Sequence, residues 1–83
     1  MNFKFMSRRI MPNLSDRLRQ LRTERGLTQK QMAELLHQTL RAYQYCESGH
    51  HVPEYANLIA LADFFDVSLD YLTGRSETRE RMP

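Results

Sequence analysis

The chain is poor in residues that would cross-link it, carry it through a membrane or arm it for catalysis. It has one cysteine, Cys46, no tryptophan, three prolines and three glycines among 83 residues. A single cysteine excludes an intrachain disulfide, and a reducing, cytoplasmic setting is expected. No apolar run approaches the roughly 18 residues of a membrane span, so no membrane partner is expected. The start, MNFKFMSRRIM, lacks an adequate apolar stretch and a small-residue cleavage site, and no signal peptide is read there. There is no glycine-rich phosphate loop and no Cys–His pair placed for a nucleophile. His50 and His51 are adjacent, but no acidic or cysteine partner sits at ligand spacing and His37 lies far off. No catalytic residue, metal, cofactor or small-molecule ligand is therefore expected. Cys46 reads as a core residue.

Charge is present but uneven. The net value is only +2. Residues 1–45 hold nine basic side chains (Lys4, Arg8, Arg9, Arg17, Arg19, Arg22, Arg25, Lys30, Arg41) against three acidic ones, for +6. Residues 46–83 hold three basic and seven acidic, for −4. A polyanion would favour the first half. Solvated helix faces would give the same counts, so the asymmetry acquires meaning only beside a motif.

Length allows one domain with a small core. Residues 1–12 show no helical or strand period. They read as a flexible basic arm, able to lie in a nucleic-acid groove through Lys4, Arg8 and Arg9, or as a plain disordered leader. Residues 13–74 hold the periodic segments. Leu14, Leu18 and Leu21 recur on one face of a first helix, capped by Asn13 or Ser15 and stopped by Gly26. Thr28 caps a second helix, and Gln31 completes the pattern of a capping box. Met32, Ala33 and Leu36 are its buried stripe. Pro53 suits the start of a fourth helix over about 54–65, whose apolar content marks it as the central core helix. Ser68 caps a short last helix, Leu69–Leu72, closed by Thr73 and Gly74. Residues 75–83 are charged and nearly free of apolar side chains, and disorder is expected there.

The stretch that organises these parts is Gln29 to Glu47, QKQMAELLHQTLRAYQYCE. It reads as two short helices joined by the tight turn His37-Gln38, with Thr39 capping the second. That helix runs from about Leu40 to Ser48 and stops at Gly49. Tyr43 and Cys46 face inward. Leu40, Arg41, Gln44 and Tyr45 spread over the opposite face. Arg can donate two bonds to guanine, Gln can bond adenine bidentately, and Leu or Tyr can touch a thymine methyl. This is the layout of a helix-turn-helix, whose second helix enters the DNA major groove. Packing of Leu40 and Tyr45 on neighbouring helices is the competing reading of those two residues.

LTQKQMAELL, the apolar-spaced helix ending in E-x-G, and PEYANLIALADFFDVSLDYL together resemble the phage-repressor and Cro-like helix-turn-helix domains, often called XRE-type. The resemblance covers Leu14 to about Leu72. It implies an all-α, compact five-helix bundle of the lambda-repressor-like class. It also implies binding of double-stranded operator DNA, usually as a homodimer, to repress or switch transcription. By the same resemblance Gln29 touches the DNA backbone, and Thr39, Leu40, Arg41 and Tyr45 meet DNA, with Gln44 beside them. Arg22 and Glu47 match a pair that in some relatives ties the first helix to the end of the third. Three departures stand out. His37 occupies a position often held by glycine, Gln38 one that is usually apolar, and His50-His51 a loop often rich in Lys and Arg.

The resulting expectation is a sequence-specific transcriptional regulator, a repressor, that uses Leu40, Arg41, Gln44 and Tyr45 on bases. Arg17, Gln29, Lys30 and Thr39 are expected on phosphates. Exposed apolar residues around Val67 to Leu72 are the expected dimer surface. The alternative is a protein-interaction module on the same fold, such as an antitoxin or adaptor.

Overall fold

The structure is a computed structural model that describes residues 14–81. The basic arm over 1–12, the Asn13 cap and the last two residues of the tail lie outside the described residues. Five helices follow one another: α1 (Leu14–Glu24), α2 (Gln29–Leu35), α3 (Leu40–Ser48), α4 (Tyr55–Phe65) and α5 (Leu69–Leu72). Among the described residues there is no strand. No helix among them is long and apolar enough to cross a membrane.

Three of the helices begin where a side chain supplies the missing partner, and a fourth begins without one. Thr28 Oγ1 accepts from the Gln31 N–H, and the Gln31 side chain returns a bond to the Thr28 N–H, so the capping box is complete. Thr39 and Ser68 cap α3 and α5 in the same way. Glu54, after Pro53, starts α4 without a side-chain cap bond.

All five helix ends close alike. An N–H reaches back five residues from Leu27 to Arg22, Gln38 to Ala33, His50 to Tyr45, Val67 to Ala62 and Arg75 to Asp70. This closure requires one residue in the left-handed region. Gly26, Gly49 and Gly74 supply it at three ends, with φ of 67°, 88° and 85°, and His37 and Asp66 at the other two, with φ of 56° and 55°. A non-glycine residue there carries backbone strain, least for the short polar types. The His37 closure forms the turn between α2 and α3.

The core joins Leu14, Leu18 and Leu21 of α1 to Met32, Ala33 and Leu36, then to Tyr43 and Cys46 of α3, with Leu58, Leu61, Ala62 and Phe65 of α4 beneath. Val67, Tyr71 and Leu72 belong to this core, all at 6% exposure or less. The expected apolar dimer surface over Val67 to Leu72 is therefore corrected. Those side chains are spent inward, and only Leu69 among the apolar ones stays half-buried. Gln38 sits where an apolar residue would pack, and its Oε1 is buried with no hydrogen-bond partner among the described residues.

The tail departs from expectation as well. Through Arg81 it lies against the domain as a strap. Ser68 N–H donates to the Arg79 carbonyl at 2.8 Å, and the Arg79 guanidinium pairs with Glu24 at 2.9 Å and reaches the Tyr71 hydroxyl. Arg81 bonds Asp63. The segment lacks apolar side chains, but its arginines find carboxylates on α1 and α4.

Candidate nucleic-acid interface

The interface is built outward from one buried carboxylate. Glu47, near the end of α3, is 3% exposed. Its Oε2 accepts from Arg22 Nε at 2.7 Å and from the Tyr43 hydroxyl at 2.6 Å. Its Oε1 accepts from Arg22 Nη2 at 2.9 Å and from Gln29 Nε2 at 3.0 Å. Arg22 Nη1 also donates to the Leu27 carbonyl. One carboxylate thus fastens α1, α2 and α3 together, with four donors on its two oxygens. Burial pushes the Glu47 carboxyl up. The donors from Arg22, Tyr43 and Gln29 outweigh burial and hold it below the usual carboxylate range. Glu47 in turn raises Arg22, and burial followed by the neighbouring Glu47 pushes the Tyr43 hydroxyl up. All three groups therefore keep their neutral-pH protonation states across a wide range.

From this buried hub a chain of amides runs to the surface. A carboxylate only accepts, so Gln29 must turn its NH2 group toward Glu47. That leaves Gln29 Oε1 to accept from Gln44 Nε2 at 3.1 Å. Gln44 keeps its own oxygen and one N–H for the exterior, the complement required for a bidentate bond to a base edge. Gln29 retains a single uncommitted N–H.

The outer face of α3 carries Leu40 at 43% and Tyr45 at 40% exposure, with Arg41 and Gln44 exposed beside them. The competing reading, in which Leu40 and Tyr45 are buried against other helices, does not hold. Lys30 is exposed in the first turn of α2. Thr39 Oγ1 accepts the capping bond, and its hydroxyl proton stays available to an external acceptor. At the other end of α3, the Tyr45 carbonyl accepts from the backbone N–H of both His50 and His51, at 2.9 and 3.1 Å. Each imidazole lies 5.8 Å from the Tyr45 ring, and His50 Nδ1 is 2.7 Å from Ser48 Oγ.

Arg17 does not belong to this face. It is 7% exposed and points the other way. Its guanidinium lies 4.0 Å over the Tyr71 ring, donates to the Tyr71 and Ser76 carbonyls and pairs with Glu77. The expected phosphate contact is withdrawn. Arg17 falls on the buried stripe of α1 with Leu14, Leu18 and Leu21, and its position in that stripe outweighs its charge. Sequence reasoning also missed Tyr43 as a donor to Glu47. The signal was present, because residues four apart on a helix are neighbours.

Comparison with known proteins follows the same outline. Residues 18–72 match the family described as helix-turn-helix. The chain is similar to YqaE of Bacillus subtilis (strain 168), an uncharacterized HTH-type transcriptional regulator. The two are 40% identical over 68 residues, which is 82% of this chain and 58% of that protein. It is similar to RstR of Vibrio cholerae, a cryptic phage CTXphi transcriptional repressor, with 37% identity over 67 residues, 81% of this chain and 60% of that protein. It also resembles BcrR of Enterococcus faecalis, an HTH-type transcriptional activator, at 38% identity over 76% of this chain and 31% of that protein. No solved structure matches at a comparable level of significance. The chain thus spans about three-fifths or less of these relatives. The family match over most of the folded region, on a five-helix frame with α2 and α3 joined by a tight turn, places this chain in the XRE-type helix-turn-helix family, whose named members are transcriptional regulators.

Proposed function

We propose that the chain is a sequence-specific DNA-binding repressor that seats α3 in the major groove and acts as a homodimer on a pseudo-palindromic operator. One observation carries the reading. The buried Glu47 hub braces α3 against α1 and α2, while Leu40, Arg41, Gln44 and Tyr45 on its far side stay exposed. A helix held rigidly with an exposed polar and aromatic face is what base recognition requires. In this reading Arg41 donates to guanine, Gln44 bonds adenine, and Leu40 and Tyr45 touch thymine methyls. Gln29, Lys30 and Thr39 set the register on phosphates. One such domain buries little area, so affinity rests on two half-sites about one helical turn apart.

Selection from random duplexes at two salt concentrations tests the proposal. Enrichment of one pseudo-palindrome supports it, and the half-site spacing gives the dimer geometry. Weak binding to every duplex at low salt alone overturns it. Tyr55 at 71% and Val52 at 50% exposure favour one second reading, a protein-interaction module such as an antitoxin or adaptor. That reading expects partner binding insensitive to salt and no enriched duplex.

A further inference from the structure

We infer that His50 and His51 make DNA binding by this domain proton-linked, with operator affinity rising as the pH falls through the histidine range. The inference rests on the DNA-binding reading and adds regulation to it. Both imidazoles sit at the C-terminal end of α3, anchored through their backbone N–H groups to the Tyr45 carbonyl. Both rings lie 5.8 Å from that of Tyr45, one of the proposed base-reading side chains. Both residues are exposed.

Histidine changes charge between about pH 5 and 8. Protonation here has three consequences that act in one direction. It places up to two positive charges beside Tyr45, on the face proposed to meet DNA. It sets cations against the negative end of the α3 dipole, which favours them. It turns the Tyr45–imidazole contacts into cation–π contacts, which hold the Tyr45 ring more firmly.

The surrounding charges do not cancel this. From α1, Arg19 approaches the Glu47 carbonyl at 3.5 Å and is itself paired with Asp16. Glu47 is already neutralised by Arg22. At the start of α4, Glu54 lines the same cavity as His51, and so does His37 from the α2–α3 turn. Cys46 there is buried, and burial pushes its thiol up, so it stays neutral.

The test is titration of the selected duplex at about pH 5.8 and about pH 8, each across a salt series, since histidine changes charge between them. Each added phosphate contact steepens the slope of log K against log salt by about 0.9 and tightens binding about tenfold near 0.1 M salt. The expected result is a tenfold or greater gain at the lower pH with a steeper slope. His50→Gln/His51→Gln should flatten both, while His37→Asn should keep both. Duplex binding with equal affinity and slope at the two pH values overturns the inference and leaves the DNA reading intact. So does a pH dependence that survives in the double variant. Binding to no duplex at either pH overturns the DNA reading and this inference with it.

Discussion

Arg17 and Arg22 stand five positions apart on α1 and both turn inward, yet they meet different surroundings. Arg22 meets a carboxylate as buried as itself, with side-chain exposures of 15% and 4%. Arg17 meets backbone carbonyls and an aromatic ring, and its carboxylate partner Glu77 is 90% exposed. The first seam balances charge in the interior. The second satisfies a guanidinium with dipoles and lets solvent complete the balance. Removing one partner at the first seam strands a buried charge, whereas the carboxylate of the second already stands in solvent.

That contrast can be broken most severely at Glu47. Glu47→Ala strips Tyr43 and Gln29 of their acceptor and leaves Arg22 only the Leu27 carbonyl, and should cost about 3–5 kcal/mol of folding stability by urea denaturation. A double-mutant cycle on Arg22 and Glu47 should show coupling well above about 0.5 kcal/mol. Arg17→Ala should cost less, about 1–3 kcal/mol, for hydrogen bonds made by a charged group. It should leave the salt slope of duplex binding unchanged, and a slope reduced by about 1 would restore Arg17 as a phosphate contact. Arg41→Ala should spare stability and lower specific duplex binding by about 1–3 kcal/mol, with relaxed preference at one base pair.

Acid sharpens the comparison further. The Glu47 carboxyl is held below the usual range in the folded state. Its contribution is therefore complete above the unfolded value of about 4.3 and is lost as the pH falls through the lower folded value. Stability measured from pH 5 downward should fall, and Glu47→Gln should flatten that limb. The smallest effects belong to the surface. Arg79→Ala breaks a pair that is 43% and 44% exposed, and its effect should disappear in high salt. Gln38→Met should raise stability by about 1 kcal/mol, because it removes a buried acceptor that has no partner.

Why some of this was legible in the sequence follows from the range of the interactions. Caps and stops act within a few residues, so Thr28 with Gln31, Thr39, Gly26 and Gly49 could be read directly. The exposed face of α3 followed from helical period alone. The pairing of Arg22 with Glu47 spans 25 positions and came through family resemblance, because no local pattern contains it. Arg17 was misread because its charge was weighed ahead of its place on the Leu14–Leu21 stripe. The tail was misread because a composition argument counts apolar residues and cannot foresee that Arg79 will find Glu24, 55 positions away. Val67 to Leu72 looked exposed because a short last helix was assumed to have a free side, but it packs on α1 and α4 and its apolar residues join the core.

The lone thiol gives the molecule a built-in clock. Cys46 lies on the inner side of α3 at 4% exposure, and burial keeps it protonated. At that exposure an alkylating reagent reaches it chiefly when α3 swings off the core. The labelling rate therefore reports how often the braced helix lets go. Operator DNA that grips the outer side of the same helix should slow that rate without touching the sulfur.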